Sequence, residues 1–277
     1  MILEATLQEE ILDYLLGSTA ISTTLPSTWT LGLYLGNPLT TGTELTGVNY
    51  AAVTVAATGW HPAELRKTNV NMIRWPAVLN AGTGGWTFPA GTDLYVGLRN
   101  GSGPVLASLE NNSVNISGTV LPSGDYVECP AASLTFDWYV YPDTQSFAMA
   151  KGLRSAILDR LFGAVTWTPP GNWELALWRG SPFAGGSEVT DPEYVRLTRA
   201  NDATEWGAGA TPKTNLTQIR WPATGTPLRN WGTATHLCLC EAGAAPSIAV
   251  ALSTPAPLRP GVALVLAPGA VSISWAY

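Results

Sequence analysis

The chain has 277 residues, 46% of them hydrophobic and only 12% charged, and a formal net charge of −6. That length and apolar content allow two ordinary domains with buried cores and exclude a disordered chain. The acidic balance, with 14 scattered Lys and Arg residues, argues against a nucleic-acid partner, and no apolar run is long enough for a membrane-spanning helix.

The first residues, Met1-Ile-Leu-Glu-Ala-Thr-Leu-Gln-Glu-Glu10, lack the basic start of a secretory signal. The expected compartment is a cytoplasm, and the odd count of cysteines (Cys129, Cys238 and Cys240) fits free thiols rather than a disulfide framework.

In chain order, Thr6-Leu-Gln-Glu9 has the capping-box pattern and predicts a helix start. Leu7, Ile11 and Leu15 then recur at one-turn spacing, with Leu12 and Leu16 beside them, and Gly17 closes the helix. Trp29, Leu31, Leu33 and Leu35 alternate with Thr30, Gly32, Tyr34 and Gly36, the period of a half-buried strand. Leu94, Val96 and Leu98 alternate likewise, as do Leu134, Phe136 and Trp138. Turn clusters at Asn80–Gly85, Arg99–Pro104 and Pro122–Asp125 separate the strands.

The pattern then begins again. Lys67-Thr-Asn-Val-Asn-Met-Ile-Arg-Trp-Pro-Ala77 and Lys213-Thr-Asn-Leu-Thr-Gln-Ile-Arg-Trp-Pro-Ala223 agree at eight of eleven positions, at an offset of 146. Leu7, Ile11, Leu12, Asp13, Leu15 and Gly17 match Leu153, Ile157, Leu158, Asp159, Leu161 and Gly163. Trp29–Pro38 matches Trp173–Pro182, and Gly42, Glu44, Thr46 and Tyr50 match Gly186, Glu188, Thr190 and Tyr194. Two long copies indicate a domain duplication rather than a solenoid. Tyr139–Gln145 reads as the linker, giving domains 1–143 and 144–277. The expected fold is mainly β: two tandem, homologous, jelly-roll-like sandwiches, each with a short N-terminal helix.

Candidate sites divide in favour of structure. Ile73, Arg74, Trp75 and Pro76, with Ile219, Arg220, Trp221 and Pro222, form the repeated motif. Its Ile and Trp are expected to face the core, its Arg to face away, and its Pro to end the strand. Glu44 and Glu188 sit in separate domains, so they cannot flank one glycosidic bond. They are expected to order their loops by accepting backbone amides. Twelve tryptophans are many for this length. Trp29/Trp173, Trp75/Trp221 and Trp138/Trp275 pair on apolar faces. Trp60, Trp167 and Trp206, read as unpaired, are the candidates for surface contact.

Only two histidines occur, His61 and His236, in non-equivalent places and without a nucleophile motif. Cys238 and Cys240 point to one face of a strand. Tyr95 and Gly97 are read at the same positions of the first half, so a shared zinc site is not indicated. No catalytic residue, metal or cofactor is expected, and the chain is not read as an enzyme.

The short helix, the Trp-x-Leu-x-Leu-x-Leu-Gly-x-Pro strand, the Gly-Thr-Glu-x-Thr-Gly-x-x-Tyr loop and the Asn-x-x-x-Ile-x-Trp-Pro-Ala strand together resemble a group of bacteriophage virion proteins. Trp231–Leu239 is similar to that group's Trp-Gly-x-x-Thr-His strand, and Leu121–Val127 to its late Gly-Asp turn. Members are described as tail fibre or capsid decoration (cement) proteins, usually with one copy of the fold where this chain has two. The resemblance implies a virion structural protein without catalytic residues, assembled in the host cytoplasm. Its first implied role is head decoration, in contact with the major capsid protein or other virion proteins, as a homotrimer. The alternative is a tail or tail-fibre component, extending to glycan receptor binding.

Overall fold

The computed structural model describes residues 2–17, 20–21, 23, 25–47, 49–61, 66–76, 86–110, 121, 124–137, 147–162, 167–207 and 212–274. The chain is mainly β, with two helices, α1 (Ala5–Gly17) and α2 (Lys151–Leu161). The first ten strands are β1 (Ile2–Leu3), β2 (Thr28–Leu35), β3 (Thr43–Glu44), β4 (Val53–Ala56), β5 (Arg66–Thr68), β6 (Ile73–Arg74), β7 (Leu94–Arg99), β8 (Val105–Glu110), β9 (Glu128–Cys129) and β10 (Thr135–Asp137). The second ten are β11 (Phe147–Met149), β12 (Asn172–Arg179), β13 (Ser187–Glu188), β14 (Leu197–Ala200), β15 (Lys213–Thr214), β16 (Ile219–Trp221), β17 (Gly232–Cys240), β18 (Pro246–Leu258), β19 (Leu264–Leu266) and β20 (Ser272–Ile273).

One six-stranded antiparallel sheet runs β1-β8-β7-β2-β3, with β4 also paired to β2. Another runs β11-β18-β17-β12-β13, with β14 also paired to β12. Small ladders β5–β10 and β6–β9 accompany the first, and β15–β20 and β16–β19 the second. Each pairing among the first ten strands therefore recurs with both strand numbers raised by ten.

The predicted alternation forms the central strands. Trp29, Leu31 and Leu33 of β2 are buried, as are Trp173, Leu175 and Leu177 of β12. The reverse face is covered too. In the first sheet Gly32 and Gly97 leave room for the Tyr34 ring, since a Cβ on Gly97 would lie 2.5 Å from it. In the second sheet Ala176, Cys238, Cys240 and Ala249 pack together, with Trp178 against them. Trp138, Trp275 and the Asn80–Gly85 turn lie outside the described residues.

Two features differ from the sequence reading. Helix α1 is capped by Glu4, not Thr6. Glu4 Oε2 accepts the Leu7 amide at 3.0 Å, and Glu4 Oε1 accepts the Thr6 hydroxyl at 3.1 Å. The Glu4 amide is itself held by Leu106 O, which fixes the carboxylate at the helix start. The second difference is that the compact units are not contiguous halves. Unit 1 comprises Met1–Leu7, Thr23–Trp138 and Ser155–Trp167; unit 2 comprises Gln8–Ser22, Tyr139–Arg154 and Thr168–Tyr277. Strands β1 to β10 lie in unit 1 and β11 to β20 in unit 2, but most of each helix belongs to the body formed by the other half. The apolar stripe of a helix needs an apolar seat, and each stripe finds it there.

Candidate interaction surfaces

The loops after the central strands are pinned by a relay of hydrogen bonds. In unit 1 the Leu33 amide donates to the Tyr50 hydroxyl oxygen (2.8 Å), and Tyr50 donates to Glu44 Oε1 (3.1 Å). Arg99 completes it, with Nη2 2.9 Å from Glu44 Oε1 and Nη1 on Oε2. In unit 2 the Leu177 amide donates to Tyr194 (2.8 Å), Tyr194 to Glu188 Oε1 (3.3 Å), and Arg196 to both Glu188 oxygens at 2.8 and 2.7 Å. The glutamates thus order their loops through tyrosine and arginine. The backbone amide goes to the phenol oxygen instead, because the tyrosine reaches the strand and the carboxylate stays half-exposed beside the guanidinium. Burial raises both tyrosines well above the ordinary phenol value.

The arginines come from different elements. Arg99 lies opposite Thr30 in the β2–β7 register, where unit 2 sets Cys240 opposite Glu174. The structural counterpart of Cys240 is therefore Arg99, and that of Cys238 is Gly97. Tyr95 corresponds to His236. The sequence reading set the cysteines two residues out of register. Their thiols are buried, and burial pushes Cys238 up and Cys240 up to about 11.

The repeated Ile-Arg-Trp-Pro segments serve the fold. Ile73, Trp75, Ile219 and Trp221 are buried, and Pro76 and Pro222 are half-buried. Trp75 Nε1 donates to Leu31 O and Trp221 Nε1 to Val195 O, both at 3.2 Å. Arg74 faces out, with Nε and Nη2 3.0 and 2.7 Å from Glu128 Oε2 and its guanidinium over the Tyr126 ring. Arg220 instead donates to Pro222 O at 2.6 Å and to Gly225 O.

Two of the three tryptophans expected at the surface are in the core. Trp60 is 3% exposed and Trp206 1%, while Trp167 is half-buried. Trp60 and Trp206 are in fact an equivalent pair. Each forms an isolated antiparallel bridge to the asparagine nine residues on, Asn69 or Asn215.

Those asparagines head the repeated Asn-x-x-x-Ile-x-Trp-Pro-Ala motif, and a buried lysine lies two residues before each. Asn69 Nδ2 donates to Asn71 O and Pro130 O (both 2.8 Å), and its Oδ1 accepts the Leu134 amide (2.9 Å). Asn215 makes the same three bonds, to Thr217 O (2.8 Å), Ala267 O (2.9 Å) and from the Val271 amide (2.8 Å). Lys67 and Lys213 are 0% and 1% exposed. The available signal was a lysine retained in both copies of a chain so poor in charge.

His61 is exposed. Burial lowers His236, and its Nδ1 lies 2.8 Å from Thr235 Oγ1, which also accepts the Gly180 amide (2.7 Å). Among the described residues no group of three or more His, Cys, Asp or Glu side chains is placed to hold a metal. No helix among them is long and apolar enough to cross a membrane.

What the described surface does offer is apolar area, concentrated on unit 2 at Phe183, Val195, Leu216, Leu228, Val262 and Val265. Leu228 and Val195 are the most exposed, at 79% and 68%. The Leu228 amide donates to Glu193 Oε2 and the Gly261 amide to Pro227 O, both at 2.9 Å. The turns carrying Val195, Leu228 and Val262 are thereby tied together.

Residues 148–274 match the family model described as Podophage GP4 fiber I protein gp80. The match supports a phage fibre family. This fibre-family segment is a little under half of the chain and takes in β12 to β20, the pinned Glu188 loop and the apolar cluster of unit 2. Comparison with curated proteins and with solved structures gave no match.

Proposed function

We propose that the chain is a structural component of a phage tail fibre that acts through its surfaces and carries out no chemistry. The observation that carries this reading is the fibre-family match over residues 148–274. The recurrence of every strand pairing in unit 1 supports extending it to the first half. On this reading the chain is a tandem duplication of a jelly-roll-like sandwich, made in the host cytoplasm and built into the virion. Its partners are other virion proteins, met through the apolar turns around Val195, Leu228 and Val262. A homotrimer would present three such clusters, and repetition would add strength to contacts that are weak singly.

The fibre match favours this role over head decoration, which rests on sequence resemblance alone. Glycan stacking on Trp60 and Trp206 has lost its structural basis, because both rings are buried. Quantitative mass spectrometry of purified virions tests the proposal. A fibre component occurs at a small fraction of the number of shell subunits. A copy number approaching one per shell subunit would overturn the reading in favour of decoration.

A further inference from the structure

Two buried ammonium groups in a chain so poor in charge call for an explanation, because an unpaired buried charge costs several kcal/mol. In unit 1 Lys67 Nζ lies 2.5 Å from Asp159 Oδ1, a residue of α2. In unit 2 Lys213 pairs with Asp13 of α1, and Glu9, one turn earlier, adds its field to the same lysine. Each lysine is therefore met by an aspartate encoded in the opposite half of the chain. The apolar contacts follow the same rule. The Phe162 ring, just after α2, lies 5.6 Å from Trp29 and 5.0 Å from Trp60, and Trp173 Nε1 donates to Leu15 O of α1 at 3.2 Å. Ile11, Leu12 and Leu15 of α1, which belong to unit 2, and Ile157, Leu158 and Leu161 of α2, which belong to unit 1, are all buried.

We propose that each strand-bearing body carries a helix socket whose natural occupant is the N-terminal helix of another copy of the same fold. The socket consists of an apolar seat, a buried lysine, and indole rings at its rim. In this chain the other half supplies the occupant, so neither half completes its core alone. The two helices carry the same Leu-x-x-x-Ile-Leu-Asp face, so both sockets read the same chemistry. An empty socket would leave apolar surface and a desolvated ammonium without their partner. Helix exchange is thus the means by which copies of this fold are held together, here within one polypeptide.

A full-length chain with a protease site inserted between residues 139 and 145 tests it. After cleavage the two fragments should remain together in native buffer, eluting at the mass of the uncut chain, and separate only in denaturant. Lys213→Glu, which sets a carboxylate against Asp13, should lower the melting temperature of the uncut chain by roughly 10 °C and let the cleaved fragments part at a lower urea concentration than the wild type. Adding Asp13→Lys to that variant should restore both. Wild-type fragments that separate in native buffer would overturn the proposal, as would a Lys213→Glu chain held together as firmly as the wild type.

Discussion

At the scale of single residues, the two units solve one electrostatic problem with different parts. A carboxylate fixed by the Gly-x-Glu loop needs a cation, and the sequence supplies Arg99 from β7 in one unit and Arg196 from the residue before β14 in the other. Glu44, Tyr50, Glu188 and Tyr194 were legible as matched pairs. The arginines were not, because residues that converge in space from different strands leave no common spacing. Cys240 stands where the first arginine would be, and Arg196 where the first unit has Ala52, so the substitutions compensate one another. Replacing Tyr194 with Phe strands the Leu177 amide and removes a donor to Glu188. It should cost roughly 1–3 kcal/mol by urea denaturation, with little change in m value. The pH dependence follows from burial. The folded state keeps Tyr50 and Tyr194 neutral above the ordinary phenol value, so their stabilisation is complete below about pH 10 and is lost as the unfolded chain ionises above it. Denaturation at pH 9 and pH 11 should show the loss. The buried thiols give a third test. Cys129, Cys238 and Cys240 should resist a thiol reagent at pH 8 in native protein and all react in urea.

At the scale of elements, periodicity gave the strands and the helix faces, while capping and crossing points escaped it. The apolar alternation of Trp29, Leu31 and Leu33 is the alternation of the buried face, and the helical stripe is the buried stripe. Thr6 and Glu9 fit the commoner capping pattern, whereas the carboxylate that accepts the Leu7 amide is that of Glu4, which stands outside it. The turn from Gly36 to Gly42, and its equivalent from Gly180 to Gly186, shows why glycines recur there. Gly36 and Gly180 have φ near +80°, and a Cβ on Gly42 or Gly186 would meet backbone at 2.3 or 2.5 Å. The asparagine pins are the strongest element-level prediction. Asn215→Ala removes three hydrogen bonds that join β15 to the turns before β16 and β20, leaving buried backbone groups without partners. It should destabilise by roughly 2–4 kcal/mol in chemical denaturation, and Asn69→Ala should act alike in unit 1. Both asparagines head the repeated Asn-x-x-x-Ile-x-Trp-Pro-Ala motif, but their pinning role was not legible, because a buried Asn and a surface Asn look the same until the strands around them are placed.

At the scale of the molecule, the recurrence of motifs was plain in the sequence, and the structure repeats each strand pairing. Which body each helix joins was not legible. The stripes of α1 and α2 are so alike that pattern alone cannot distinguish a helix packed on its own half from one exchanged. Tryptophan count points to Trp60 and Trp206 as surface residues, yet both rings are buried, and the most exposed large apolar residues among those described are Leu228, Val195 and Val262. Leu228→Asp should leave stability within about 0.5 kcal/mol of the parent, as exposed substitutions do, while reducing incorporation into particles. The most direct measurement is immunogold electron microscopy of intact virions with antibodies raised against this chain. Gold confined to the tail fibres is the result predicted; gold spread over the head shell would contradict the account.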